Sequence, residues 1–189
     1  MNWTPVAGDA NGYGGSGSSS WGVPALQANF SGSTLTIAPN VNTYAAGNVY
    51  WVNADGSGAN NMDASVYSET SGQYVGTTLT FTFDVQANTL AAPYSSVAFI
   101  KDFTSNYSSS TSATAALTPG IDTVSLAVSA NGSDHIQYGF ETIGPDANPA
   151  TVSSLGTVIV GPAPVPETST LAFAGMGLSA ALAMIRRRK

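Results

Sequence analysis

Apolar and polar residues alternate with a period of two over most of the chain. The clearest run is 77–86, where Leu79, Phe81, Phe83 and Val85 share one face and Thr78, Thr80, Thr82 and Asp84 the other. A helix would need a period near 3.6, so this run predicts a half-buried strand. Shorter runs follow the same rule at 33–38 (Leu35, Ile37), 64–69 (Val66 opposite Tyr67) and 96–101. Others lie at 123–129 (Val124, Leu126, Val128), 135–141 (Ile136, Tyr138, Phe140) and 155–160. Residues 48–53, Asn-Val-Tyr-Trp-Val-Asn, are apolar on both faces and predict a central strand. Asn131-Gly132, between two alternating runs, predicts a hairpin with a slightly lengthened loop.

About eight strands punctuated by Gly, Pro, Asn and Asp, with no convincing helix before residue 168, predict an all-β fold. A β-sandwich of the jelly-roll variety is the expected architecture. Three segments are expected: a Gly/Ser-rich N-terminal stretch over 1–32, a β-sandwich domain over 33–161, and a tail over 162–189. Residues 12–20 read as a flexible leader or loop. Pro162, Pro164 and Pro166 form an extended spacer that neither strand nor helix absorbs.

Charge narrows the function. Of 189 residues, 5 are Lys or Arg and 11 are Asp or Glu, for a formal net charge of −6. Four of those cations are the last four residues, Arg186, Arg187, Arg188 and Lys189. From residue 1 to 165 the only cation is Lys101, against ten carboxylates, a net of −9. Nucleic acid is excluded as a partner, because its binders need Lys and Arg to displace counterions from phosphate. An anionic polysaccharide is disfavoured unless a metal ion bridges the two. The absence of cysteine removes disulfides, thiolate catalysis and zinc–sulfur sites.

The tail has three parts in order. Val165, Pro166, Glu167, Thr168, Ser169 and Thr170 are followed by an uncharged stretch over 168–185 and then by the four terminal cations. As a helix rising about 1.5 Å per residue the stretch spans roughly 27 Å, close to a bilayer core of about 30 Å. The cations would hold the C-terminus on the cytoplasmic side. This arrangement closely resembles the PEP-CTERM sorting signal of Gram-negative bacteria. Val165, Pro166, Glu167, Ser169 and Thr170 match its motif; Thr168 stands where the family has its second proline. The resemblance covers about residues 165–189. It implies transient residence in the bacterial inner membrane and cleavage near Pro166-Glu167-Thr168 by an exosortase-like membrane enzyme. Release to the cell envelope or an exopolysaccharide matrix would follow. The family also carries an N-terminal signal peptide. Met1-Asn-Trp-Thr has neither a basic region nor a long apolar run, so a leader upstream of Met1 is expected.

No enzymatic activity is expected of the body. A Ser-His-Asp triad would rest on the single histidine, His135. Glu141, Glu69 and Asp84 are the pool from which a glycosidase pair would be drawn, and no Glu-x-Asp-x-Glu segment occurs. Residues 53–63 place Asp55, Asn60 and Asp63 in a Gly-containing stretch. Such oxygen donors suit a structural calcium ion, and equally an Asx-rich turn. Sugar binding would use aromatic faces against C–H surfaces. Tyr74, Tyr94 and Tyr107 lie near loops and are the candidates; Trp51 is the aromatic expected in the core. The segments 99–103 and 137–141 resemble parts of carbohydrate-binding sandwich modules. Thr78, Thr80 and Thr82, echoed by Thr34 and Thr36, form ranks that suit either a solvated strand face or an ice-binding one. The leading expectation is therefore a structural or adhesive envelope protein associated with exopolysaccharide. A dedicated module for a neutral glycan is the alternative, and an ice-binding surface protein a further one.

Overall fold

The computed structural model describes residues 1–7 and 15–164. The expected sorting motif, membrane segment and terminal cations lie outside the described residues. Among the described residues, no helix is long and apolar enough to cross a membrane.

In chain order the strands are β1 (Asn2–Pro5), β2 (Gly17–Ser18), β3 (Ala28–Ser31), β4 (Thr34–Ile37), β5 (Asn60–Ser71) and β6 (Thr78–Asn88). They continue with β7 (Ser95–Phe103), β8 (Ser110–Ala116), β9 (Gly120–Ala127), β10 (His135–Pro145) and β11 (Val158–Pro162). Two single-turn 3-10 segments, Val23–Leu26 and Val152–Leu155, are the only helical pieces among the described residues. One sheet has the order β2-β1-β5-β10-β7-β8, the other β3-β4-β11-β6-β9, and neighbours in both are antiparallel. β1, β2 and β3 come from upstream of Ser33, so the sheets recruit part of the expected N-terminal segment.

Alternation sends one face of each sheet inward. Leu35 and Ile37 of β4, Phe83 and Val85 of β6, and Val158 and Val160 of β11 meet Ala64 and Val66 of β5, Ala98 and Ile100 of β7, and Ile136 of β10. Phe83 and Phe140 cross edge to face, with ring centroids 5.5 Å apart. Burial of a side chain such as Phe83 contributes about 1.5–3 kcal/mol. This two-sheet core is the β-sandwich that the alternation predicts.

Three expectations are corrected. Residues 48–53 are not a central strand but a series of turns with one isolated bridge, Val52 to Gly58. The Asn48 side chain accepts a hydrogen bond from Tyr50 N, and its carbonyl accepts from Trp51 N and Val52 N. A polar side chain that offers the backbone such partners competes with a sheet ladder. Trp51 is half-buried, edge-on to Trp3 at 5.4 Å and to Tyr50 at 4.7 Å. Likewise, Asn131-Gly132 does not close a hairpin: β9 pairs with β6, β10 with β5 and β7, so this loop crosses between sheets. Its geometry is fixed by Asp134, which accepts from Ser129 Oγ and Asn131 Nδ2 at 2.5 and 2.7 Å. Asp102 of β7 accepts from Ser129 N at 2.8 Å. The residues that were expected to open the last strand, at 155–157, precede β11, with Gly156 at φ 79°.

Just beyond β10, Asp146 is almost wholly buried. Its backbone N donates to Asn60 O at 2.9 Å, and Thr43 Oγ1 donates to Oδ2 at 2.5 Å. Oδ1 has no hydrogen-bond partner among the described residues. Burial pushes this carboxyl up to about 6, and the Thr43 bond only partly offsets it. The unfolded value is near 3.9, so the unfolded chain gives up this proton first. The group's contribution is intact at low pH and declines as pH rises from about 4 to about 6. The full cost of ionising it in place is roughly 3 kcal/mol. Asp146→Asn is expected to gain on the parent in melting temperature between pH 4 and pH 7, with no further gain above. A constant difference across that range in thermal melts would refute this assignment.

Candidate functional site

β10 is flanked on both sides, and its register aligns the outward residues of the first sheet in rows. Ser65, Glu141 and Val97 form one row; Tyr67, Gly139 and Phe99 the next. Then come Glu69, Gln137 and Lys101, followed by Ser71, His135 and Phe103. Gly139 leaves the centre of this face without a side chain. A Cβ there would lie 2.1 Å from Val66 O and 3.0 Å from Tyr67 Cβ. The rings of Tyr67 and Phe99 close over the strip edge to face, 6.4 Å apart. Phe99 is fully buried although it points away from the core, whereas Tyr67 is 47 % exposed.

Polar groups frame this aromatic strip. Lys101 Nζ lies 4.4 Å from the Phe99 ring centroid and donates to Glu141 Oε2 at 2.7 Å. Ser65 Oγ is 3.2 Å from that same Glu141 oxygen and 3.1 Å from Asp63 Oδ1. One hydroxyl proton cannot serve two carboxylates. Burial, then the charge of Glu141, raises the pKa of Asp63. On the far side, Glu69 accepts from Gln137 Nε2 at 2.6 Å and from Tyr107 Oη at 2.9 Å. The Glu69 bond also raises the Tyr107 pKa. Tyr107 stacks on His135 at 4.4 Å with planes 8° apart. His135 Nδ1 is 2.8 Å from Ser71 Oγ, and Nε2 is 3.2 Å from Ser105 O. A hollow of about 460 Å³ opens over this face, bounded by Tyr67, Lys101, Phe103 and Gln137 and, across it, by Asn2 and Ser18.

The residues singled out in the sequence are only partly gathered here. Tyr107 belongs to the site. Tyr74 lies in the β5–β6 turn at φ 61°, its carbonyl accepting from Thr77 N and Oγ1. Tyr94 precedes β7 at the other end of the sandwich, against Gly144, and burial and then Asp146 raise its pKa. Asp55 is exposed and accepts from Ser57 N and Oγ, which lowers its pKa. Asn60 is buried, bonded to Gly15 N and Tyr50 O, while Asp63 faces outward from β5. These three oxygen donors do not converge, and no group of three or more His, Cys, Asp or Glu that could hold a metal occurs among the described residues. Thr78, Thr80 and Thr82 are exposed on the outer face of the second sheet, where Thr80 and Ser125 hydroxyls bond each other at 2.9 Å. Tyr67, Glu69 and Gln137 are candidates that no local sequence motif singles out. Their outward period-two positions were the available signal, but the register that joins them was not.

No protein-family model matches the chain, and neither a curated protein nor a solved structure shows significant similarity to it.

The Lys101–Glu141 pair is only partly exposed, so loss of one partner leaves the other poorly solvated. With its residual exposure, Lys101→Met is expected to cost about 1–2 kcal/mol in urea unfolding. Adding Glu141→Gln should recover most of that loss. A double variant as unstable as the sum of the singles would show that the pair is not coupled.

Proposed function

We propose that this chain is an exported, non-enzymatic protein of the bacterial envelope or extracellular matrix that holds neutral polysaccharide on the outer face of its first sheet. The observation that carries this reading is the half-exposed Tyr67 ring over the Gly139 strip, flanked by fixed amide, carboxylate and hydroxyl groups. A pyranose offers an apolar C–H face to such a ring and hydroxyls to Gln137, Glu69 and Ser65. Lys101, the one lysine or arginine side chain on this face among the described residues, is already paired with Glu141, which disfavours an acidic sugar. The same pairing occupies the carboxylate best placed for acid–base work and favours binding over hydrolysis.

The strand order supports a jelly-roll reading. β4-β11-β6-β9 faces β5-β10-β7-β8, the arrangement produced by two interlocked Greek keys. The PEP-CTERM-like tail supplies the route: insertion, cleavage near Glu167 by an exosortase-like enzyme, then release to the matrix. That part rests on residues 165–189 of the sequence.

On a glycan array, the protein is expected to bind one class of neutral polysaccharide saturably. Tyr67→Ala should weaken binding at least tenfold, about 1.4 kcal/mol, with little change in melting temperature. Thr80→Tyr, on the opposite outer face, should leave binding unchanged. Absence of saturable binding to any neutral glycan rejects the ligand reading. Independently, co-expression with an exosortase should give a mature chain whose mass places its end near residue 167; an intact tail on the exported protein would reject the sorting reading.

A further inference from the structure

A second concavity lies between the sheets, and Tyr67 and Gly139 belong to its lining as well as to the glycan face. β11 ends at Pro162, opposite Phe83 of β6. Pro162 and Pro164 carry no amide hydrogen and cannot extend the ladder. β6 nevertheless continues through Thr82 to Thr78, paired there only with β9 among the described residues. In the first sheet, β5 and β10 remain paired as far as Ser71 and His135. The second sheet is therefore notched where the first continues, and the notch is a cleft of about 520 Å³.

Its walls are aromatic. Phe81 lies 5.7 Å from Tyr138 and 5.3 Å from Phe140, ring to ring. Leu35, Val66 and Val160 add aliphatic surface, while Val23 and Phe30, 38 % and 63 % exposed, stand at the mouth. Among the described residues, no Lys, Arg, His, Asp or Glu lines the cleft; its polar side chains are hydroxyls, among them Ser33, Ser68 and Tyr138. The volume is that of a small-molecule site, and the lining has the mostly apolar character of one. A carboxylate or phosphate placed there would lose its hydration with no counter-charge to replace it. We infer that the cleft binds an uncharged, single-chain amphiphile whose hydrocarbon lies among the phenylalanines and whose one hydroxyl meets the side-chain hydroxyls. Charge complementarity decides the class: an apolar chain with a neutral head.

The test uses the full chain and the uncharged fluorophore N-phenyl-1-naphthylamine. Its emission should rise saturably with one probe per chain. 1-Dodecanol should displace it, and dodecanoate at pH 8 should do so at least tenfold less effectively. Ser68→Trp fills the notch from an exposed position and should weaken probe binding at least tenfold. Phe30→Ser, at the mouth, should weaken it several-fold and serves if the tryptophan variant does not fold. Phe30→Ser, on β3 of the second sheet, should leave glycan binding unchanged, so the two readings fail or survive separately. The inference is overturned by non-saturating emission, by equal displacement with dodecanol and dodecanoate, or by unchanged affinity in a folded variant. Displacement by a synthetic peptide of residues 171–185 but not by dodecanol would also overturn it, assigning the cleft to the chain's own apolar run.

Discussion

The backbone ladder of β10 is the constraint on which both the core and the outer face depend. Eleven residues of this strand pair with β5 on one side, and nine of them with β7 on the other. Because side chains alternate, this one ladder sends Ile136, Tyr138 and Phe140 inward and His135, Gln137, Gly139 and Glu141 outward. A slip of one residue would exchange the two sets, placing Glu141 in the core and Phe140 in water. The apolar set therefore fixes the register, and the register in turn brings Gln137 to Glu69 and Glu141 to Lys101. The order of a polar surface is here a by-product of hydrophobic burial.

Charge is scarce, and several of the charged groups among the described residues have an individual task. Lys101 neutralises Glu141 and covers Phe99, while Glu69 gathers an amide and a phenol. Asp134 and Asp102 organise the loop that passes between the sheets. Asp146 is held in a site that favours its neutral form. Most surface hydrogen bonding among the described residues is left to Ser, Thr, Asn and backbone groups.

Most of the fold was legible because period two survives wherever one strand face is buried. Leu79 to Val85 and Ile136 to Phe140 announce their strands without help from tertiary structure. Residues 48–53, a continuous apolar run and not an alternating one, mislead, since Val49, Tyr50 and Trp51 are apolar for a different reason: they belong to turns and a small aromatic cluster stabilised by Asn48. Asn131-Gly132 misleads because turn chemistry is local, whereas the choice of sheet is set by distant partners of β9 and β10. The candidate site was harder still. Tyr67, Gln137 and Lys101 are far apart in sequence and meet only through pairing across three strands. Tyr107 was recognisable as a loop aromatic, but its Glu69 and His135 partners were not. The oxygen donors at Asp55, Asn60 and Asp63 are of the type a hard cation takes, yet Asn60 and Asp63 lie on one strand and point to opposite faces.

β11 has a consequence for the order of folding. It joins the second sheet between β4 and β6, so the two earlier strands acquire their shared neighbour only when a segment more than 120 residues after β4 arrives. Non-local closures of this kind are slow, because chain entropy is lost well before the final contacts repay it. No stretch of chain that stops before residue 158 can complete the second sheet. A chain emerging from its N-terminus would thus keep this sheet open, and its inner apolar face uncovered, until residues 158–162 had followed.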